Sequence, residues 1–198
     1  MTKLDCFYKR LFDVFSSCVG LFVFFPFILL AWIIASIETR SNGFFIQKRI
    51  GKHGKFIHVF KIKTMYNSTI TRSSITADVT KSITKSGLFL RKYKIDELPQ
   101  LLNVLMGQMS FVGPRPDVSG YADVLVGPDR VILDVRPGIT GPASLKYKNE
   151  EELLSKMSDA KKYNDEVIWP DKVTINTKYI NEYSFLKDLS YIYKTVVK

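Results

Sequence analysis

Residues 14–37 read VFSSCVGLFVFFPFILLAWIIASI, a run of 24 residues without a charge. As one straight α-helix it reaches roughly 36 Å at about 1.5 Å per residue, enough for a hydrocarbon core of about 30 Å. It is longer than the apolar core of a signal peptide, and no small-residue cleavage site precedes a polar start. The run is therefore expected to be retained membrane structure. Pro26 sits at its centre and withdraws a backbone donor there. Each half, 14–25 and 27–37, reaches roughly 16–18 Å, too short to cross alone. Two geometries suit these lengths. One is a re-entrant hairpin that enters and leaves on one face. The other is a proline-kinked helix that spans. Lys3, Lys9 and Arg10 precede the run, and Arg40, Lys48 and Arg49 follow it. Positive charge on both flanks favours no orientation across a bilayer, which agrees with both ends staying cytoplasmic.

The charge distribution extends this reading outward. The 198-residue chain carries 29 Lys+Arg against 19 Asp+Glu, a formal net charge of +10. Residues 1–65 account for +7 of it, and seven basic residues with no acidic one lie between Arg40 and Lys63. A basic block directly after the most apolar segment favours an anionic membrane surface over a nucleic acid. Hydrophobic residues at 46% exclude wholesale disorder. Two cysteines, Cys6 and Cys18, exclude a disulfide framework, and neither has histidines at zinc-ligand spacing.

Downstream, the patterns predict an α+β domain. Phe44–Arg49 and Lys55–Met65 read as two strands around a Gly51–Gly54 turn, with Ile57, Val59, Lys61 and Lys63 sharing one face. The stretch 68–86 holds ten Ser/Thr and reads as a mobile loop. Asn67-Ser68-Thr69 matches a glycosylation acceptor that a cytoplasmic segment would not use. Gly87–Lys94 is short, basic and helical in pattern. Pro99 suits the first turn of a helix running to about Gln108, with Leu98, Leu102, Leu105 and Met109 toward the core. Two stiff Gly/Pro loops follow, Gly113–Pro116 and Arg136–Pro142. Glu150–Lys162 predicts a polar helix. Tyr179–Val197 predicts an amphipathic one, whose Phe185, Leu189, Ile192, Tyr193 and Val196 suit packing or the membrane interface.

Three groups of residues carry candidate chemistry. Asp96-Glu97 lies in RKYKIDELPQ, close to Arg91, Lys92 and Lys94. A carboxylate beside cations stays ionised and can be a nucleophile, a base or a Mg²⁺ ligand. Asp96 before a proline-started helix equally suits an N-cap. Arg115 in GPRP and Arg136 in RPG each precede a proline that stiffens the loop, so each suits a bidentate phosphate clamp or an ordinary surface turn. Lys61 and Lys63 reach the same anion from the strand or stay solvated. His53 and His58 receive no role. No GxGxxG, GxxxxGK[ST], GxSxG or HExxH occurs, so Rossmann, Walker, α/β-hydrolase and zincin chemistry are unsupported.

Taken in order, five motifs resemble one family. They are Lys9-Arg10-Leu11-Phe12-Asp13, Phe60-Lys61-Ile62-Lys63-Thr64-Met65, residues 95–104 (IDELPQLLNV), residues 109–116 (MSFVGPRP) and residues 135–141 (VRPGITG). The chain resembles the bacterial sugar transferases of the small monotopic phosphoglycosyl transferase type over roughly residues 8–145. That resemblance implies transfer of a sugar 1-phosphate from a UDP-sugar to undecaprenyl phosphate with release of UMP, the start of surface glycan synthesis. It implies a catalytic pair at Asp96 and Glu97, with Asp96 the nucleophile of a covalent phosphosugar intermediate and both carboxylates near Mg²⁺. Arg91, Arg115 and Arg136 are then candidates to stabilise phosphoryl charge, with Lys61 and Lys63 beside them. It also selects the re-entrant geometry, with the break at Pro26.

The expected organisation is a re-entrant anchor at 1–39 and a helix-rich cytoplasmic catalytic domain at 40–198. That domain would carry a small β-hairpin and interfacial amphipathic helices at the inner membrane of a bacterium. The expected partners are the UDP-sugar, undecaprenyl phosphate and membrane lipids, with no nucleic acid; the exposed C-terminus would suit a homodimer. Phe25 stands before Pro26 where the family often has Ser. Pro142-Ala143-Ser144 replaces a common Leu-Ala-Gln. A family carboxylate in the C-terminal third falls near Asn176, with Asp171 close by. A membrane-anchored adaptor that needs neither Asp96 nor a metal is the competing reading. A membrane-anchored nucleic-acid binder is a third, and no recognised module supports it.

Overall fold

A computed structural model of the chain describes residues 1–66 and 82–197. The Asn67 motif and most of the Ser/Thr-rich stretch lie outside the described residues. The chain forms two compact units, one of residues 1–15, 48–57 and 104–198, the other of 16–47 and 58–103. The class is α+β and rich in helix, as the sequence predicts.

Helix α1, Lys3–Thr39, contains the whole apolar run and continues through Pro26. Only 17% of its most apolar window is buried, so it is not the core helix of a soluble protein. Phe22, Val23, Phe24, Phe25 and Phe27 are all exposed, Phe22 to 86%. That exposure of large apolar groups on every side of a helix is what a lipid solvent permits and water penalises. Arg40, at φ 49, stops the helix in a left-handed turn.

In the unit of residues 16–47 and 58–103, α1 packs on the chain that follows it. Ile28, Ala31 and Ala35 are buried with Ile62 and Leu90, and Leu21, Trp32, Phe44, Ile95 and Leu98 pack around them. Each large apolar side chain so buried contributes roughly 1.5–3 kcal/mol. Strands β1 (Phe44–Ile50) and β2 (Phe56–Ile62) pair as a two-stranded sheet. Five linking residues leave no room for a crossover, so the pairing is antiparallel. The turn falls where the glycines predict, with His53 and Gly54 at positive φ. Ile57, Val59 and Ile62 are buried. Helix α2, Lys85–Lys92, starts on Thr84, whose hydroxyl accepts from the Gly87 N–H at 2.9 Å. It therefore begins inside the stretch expected to be loop. A short turn, Ile95–Glu97, precedes α3, Gln100–Leu105. This helix is shorter than expected, because Gly107 takes φ 78 and reverses the chain. Its buried positions are Leu101 and Val104, whereas Leu102 is 39% exposed. Of the expected stripe, Leu98 packs against the cluster and Met109 is fully buried, Leu105 is half-buried, and Leu102 alone faces outward.

In the other unit, the two Gly/Pro loops are not merely loops. The first follows directly on β3, Ser110–Val112, and the second contains β4, Gly138–Thr140; the strands pair in parallel with Ser110 opposite Gly138 and Val112 opposite Thr140. The Gly113 N–H donates to Thr140 O at 2.9 Å, and the Gly138 N–H to Pro114 O at 2.8 Å. Helices α4 (Pro142–Lys146), α5 (Glu150–Ser155), α6 (Ala160–Tyr163), α7 (Trp169–Asn181) and α8 (Phe185–Val196) follow. The expected 150–162 helix is thus two short ones, and the expected 179–197 helix breaks at residues 182–184. Ile50, Val112, Ile132, Leu133, Val173, Tyr179 and Ile180 form this unit's core. Of the predicted α8 stripe, Ile192 packs against that core, while Tyr193 and Val196 are exposed to 65% and 77%.

The first turns of α1 are pinned by polar side chains. Lys9 Nζ pairs with Asp188, whose other oxygen accepts from Tyr179 Oη at 2.7 Å. Asp13 Oδ1 accepts from the Phe111 N–H at 3.0 Å and from Ser110 Oγ at 3.1 Å. Arg10 donates to Val104 O at 2.6 Å and Leu105 O at 2.8 Å, satisfying carbonyls at the end of α3. The Lys9–Arg10–Asp13 motif is therefore a fastening. Each of its three charged members finds a partner, as burial requires.

Candidate active site

The Asp96-Glu97 pair sits in the turn between α2 and α3. Lys94 takes φ 55 and turns the chain sharply, bringing the end of α2 back toward the two carboxylates. Asn103, fully buried, fastens α3 to β2. Its Oδ1 accepts from the Phe60 N–H at 3.0 Å, and its Nδ2 donates to His58 O at 2.6 Å. Lys61, next on the strand, then reaches Glu97 Oε1 at 2.9 Å. The two side chains are only 21% and 14% exposed, so this pair is shielded from the screening that makes surface pairs weak.

Asp96 is 8% exposed. Burial, with the neighbouring Glu97 charge adding to it, pushes its carboxyl up to about 6, while Lys61 and Arg91 pull the other way. Arg91 is held on its inner side, where Nε donates to Thr64 Oγ1 at 2.8 Å. Lys63 Nζ donates to Ser41 Oγ at 2.8 Å. The structure thus brings Lys61, Arg91, Asp96 and Glu97 into one electrostatic cluster. Two carboxylates of unlike environment can divide chemical roles, one as nucleophile and the other held by its cation.

Arg115 and Arg136 belong to the other unit. Arg115 is exposed between Pro114 and Pro116. Asp117, two residues on, is pushed up to about 6 by burial, against the pull of Lys172, Arg49 and Arg115. The Asp117 carbonyl accepts from the Ile50 N–H at 2.8 Å, tying this loop to β1. Arg49 and Asp117 were not singled out from the sequence. The signal was available, since each lies two residues from a motif glycine or arginine. Arg136 Nε donates to Gly107 O at 2.8 Å. Asn176 is buried, and its Oδ1 has no hydrogen-bond partner among the described residues, whereas Asp171 accepts from Lys146 Nζ and Tyr147 Oη at 2.7 Å each.

A membrane-associated α+β protein with paired carboxylates ringed by cations has the makings of a phosphate-handling enzyme. The family model for bacterial sugar transferases matches residues 4–198. The chain belongs to that family, as its motifs suggested, and is a transferase. It is 33% identical over 190 residues to the uncharacterized sugar transferase EpsL of Bacillus subtilis, covering 96% of this chain and 86% of that one. It is 32% identical over 202 residues to the exopolysaccharide production protein PSS of Rhizobium leguminosarum bv. phaseoli, covering 98% and 96%. It is 34% identical over 207 residues to the UDP-glucose:undecaprenyl-phosphate glucose-1-phosphate transferase of Klebsiella pneumoniae. That match covers 100% of this chain and 41% of the Klebsiella protein.

Proposed function

We propose that this protein transfers a sugar 1-phosphate from a UDP-sugar to undecaprenyl phosphate, releasing UMP and starting a surface glycan. The observation that carries the reading is the buried Asp96 beside Glu97, Lys61 and Arg91 in a chain of the sugar transferase family. An Asp96 oxygen attacks the sugar-bearing phosphorus, forming an acyl phosphate as the bond to the UMP oxygen breaks. A phosphate oxygen of the lipid then attacks the same phosphorus and releases the carboxylate. Two displacements let one site serve a soluble donor and a lipid acceptor in turn. Arg91 and Lys61 stabilise charge near the carboxylates during transfer.

The donor set fits Mg²⁺. Asp96 is a buried carboxylate whose charge its neighbours only partly offset. Among the described residues no group of three His, Cys, Asp or Glu could cage a metal. Magnesium is usually held by one or two carboxylates together with water and substrate phosphate, so Asp96 and Glu97 suffice as its protein ligands. When bound, it would offset the repulsion between carboxylate and diphosphate.

The anchor reading follows from α1. Leu21, before Pro26, and Ile28, Ala31 and Ala35, after it, join one cluster with Ile62 and Leu90. The neighbours of those residues in sequence are Lys61, Lys63 and Arg91. Each charge costs about 2.5–3.5 kcal/mol or more at the centre of a bilayer. A helix packed against such chain on both sides of its proline suits entry and exit on one face. The exposed 22–27 stretch would then lie deepest, with the break at Pro26. On this reading the catalytic residues face the cytoplasm, where UDP-sugars are. In a cysteine-free background, single cysteines at positions 3 and 42 are expected to react with a membrane-impermeant maleimide only from the cytoplasmic side. Labelling of one from each side would establish a spanning helix.

The activity test is UMP release by membrane-extracted protein with undecaprenyl phosphate, Mg²⁺ and a panel of UDP-sugars. One donor is expected to give UMP, and EDTA to abolish it. No UMP from any donor, in folded protein, favours the adaptor reading.

A further inference from the structure

We infer that Thr64 is a positioning residue for the transfer reaction, holding the Arg91 guanidinium in place beside the Asp96-Glu97 pair. The inference rests on the reading above and adds a residue to it. Thr64 lies just past the end of β2 and is 6% exposed. It touches α2 in three ways. Its hydroxyl accepts from Arg91 Nε at 2.8 Å. Its carbonyl accepts from the Thr84 N–H at 3.0 Å, at the start of the helix. A Cβ added at Gly87 would fall well inside contact distance of that same carbonyl, so α2 approaches Thr64 as closely as only glycine allows.

The start of α2 is fastened independently. Glu38, near the end of α1, accepts from the Lys85 N–H at 2.8 Å and from the Ser86 N–H and hydroxyl. With the helix anchored at its first turn and against Gly87, Arg91 in its last turn is the cation that reaches back to Thr64. An unrestrained arginine samples many rotamers, and ordering one costs up to about 2 kcal/mol. The Thr64 hydroxyl takes that cost in the folded protein, before substrate binds. It also uses Nε, which keeps the two terminal amino groups for a phosphoryl oxygen. Burial makes the bond informative: the hydroxyl has a fixed position and a single chemical function there.

The test is a steady-state comparison of full-length protein in membrane extract. It uses the UDP-sugar that supports UMP release, and a thermal midpoint is measured for every variant. Thr64→Val keeps the shape and loses the acceptor. It is expected to lower kcat about 30-fold while the donor KM stays within about threefold. Thr64→Ser restores the hydroxyl and is expected to recover kcat to within about threefold of wild type. Adding Thr64→Val to Arg91→Ala is expected to cost no more than about twofold beyond Arg91→Ala alone, because the arginine it positions is gone. Thr64→Ala serves in the same cycle if Thr64→Val does not fold. A full additive loss in the double variant, or equal losses in Thr64→Val and Thr64→Ser, would overturn the inference while wild-type UMP release leaves the transferase reading standing. Absence of UMP from the wild type would remove both.

Discussion

Asp96→Asn is expected to abolish UMP release while making the metal-free protein more stable at neutral pH. The loss follows from chemistry: an amide cannot be the attacking carboxylate, and removal of a nucleophile costs on the order of 10³-fold or more. The gain follows from burial. The folded carboxyl titrates at about 6, above the ordinary 3.8 of an aspartate. The folded state therefore binds this proton more tightly than the unfolded one. The stabilisation from protonation is fully present below about pH 4 and is lost as pH rises through about 6. At pH 8 the wild type carries the whole penalty, bounded by about 3 kcal/mol for a shift of roughly two units. Asparagine does not carry it. In EDTA at pH 8 the variant's thermal midpoint should exceed the wild type's, by up to about 6–12 °C at roughly 2–4 °C per kcal/mol for a chain of this size. At pH 5 the gap should shrink, because Asp96 is then largely protonated. UMP release by Asp96→Asn at wild-type rates would rule out the covalent route. A midpoint that falls at pH 8 would mean that Asp96 is held by more than its burial and charged neighbours.

Gly138→Ala is expected to destroy the unit that carries Arg115 and Arg136. A Cβ at Gly138 meets the Gly113 nitrogen, the Gly113 oxygen and the Thr140 oxygen, all inside contact distance and all backbone. None of these can rotate away, as a flexible side chain would. The hydrogen bonds from Gly138 N–H to Pro114 O and from Gly113 N–H to Thr140 O must open to admit the methyl group. The expected cost is more than about 3 kcal/mol, combining overpacking with lost buried hydrogen bonds. Little soluble, folded protein should be recovered, and what is recovered should lack transferase activity. Gly120→Ala is the comparison. Gly120 has φ +99 with nothing near its missing Cβ, so only backbone strain applies, about 1 kcal/mol. Similar thermal midpoints for the two variants would show that the close approach of the two loops is not what the glycines serve.

Much of this was legible in the residues themselves. A 24-residue uncharged run has one physical solvent, and the basic block after it points to an anionic surface. The hairpin was legible because a period of two and a glycine-bounded turn are local properties. The Asp96-Glu97 pair suited either chemistry or a helix N-cap from the residues alone, and it was the family resemblance that made it a catalytic candidate. The sequence also carried the family, through five ordered motifs.

What the sequence left open depends on distant partners. The Arg136–Pro142 segment read as a turn because the parallel pairing of its β4 with β3, 28 residues earlier, has no local signature. Leu102 faces outward because its neighbour Asn103, a polar residue, takes the buried position through its bonds to the β2 backbone. Lys9, Arg10 and Asp13 looked like flanking charges, and only their contacts with Asp188, the α3 carbonyls and the Phe111 amide make them a fastening. The sequence alone determined a membrane-associated sugar transferase and put Asp96 and Glu97 side by side in a basic stretch, because composition, periodicity and short motifs are properties of neighbouring residues. Only the tertiary structure decided that Asp96 is buried, that Lys61 is paired with Glu97 and that Thr64 holds Arg91, because burial and hydrogen bonding are settled by which distant segments meet.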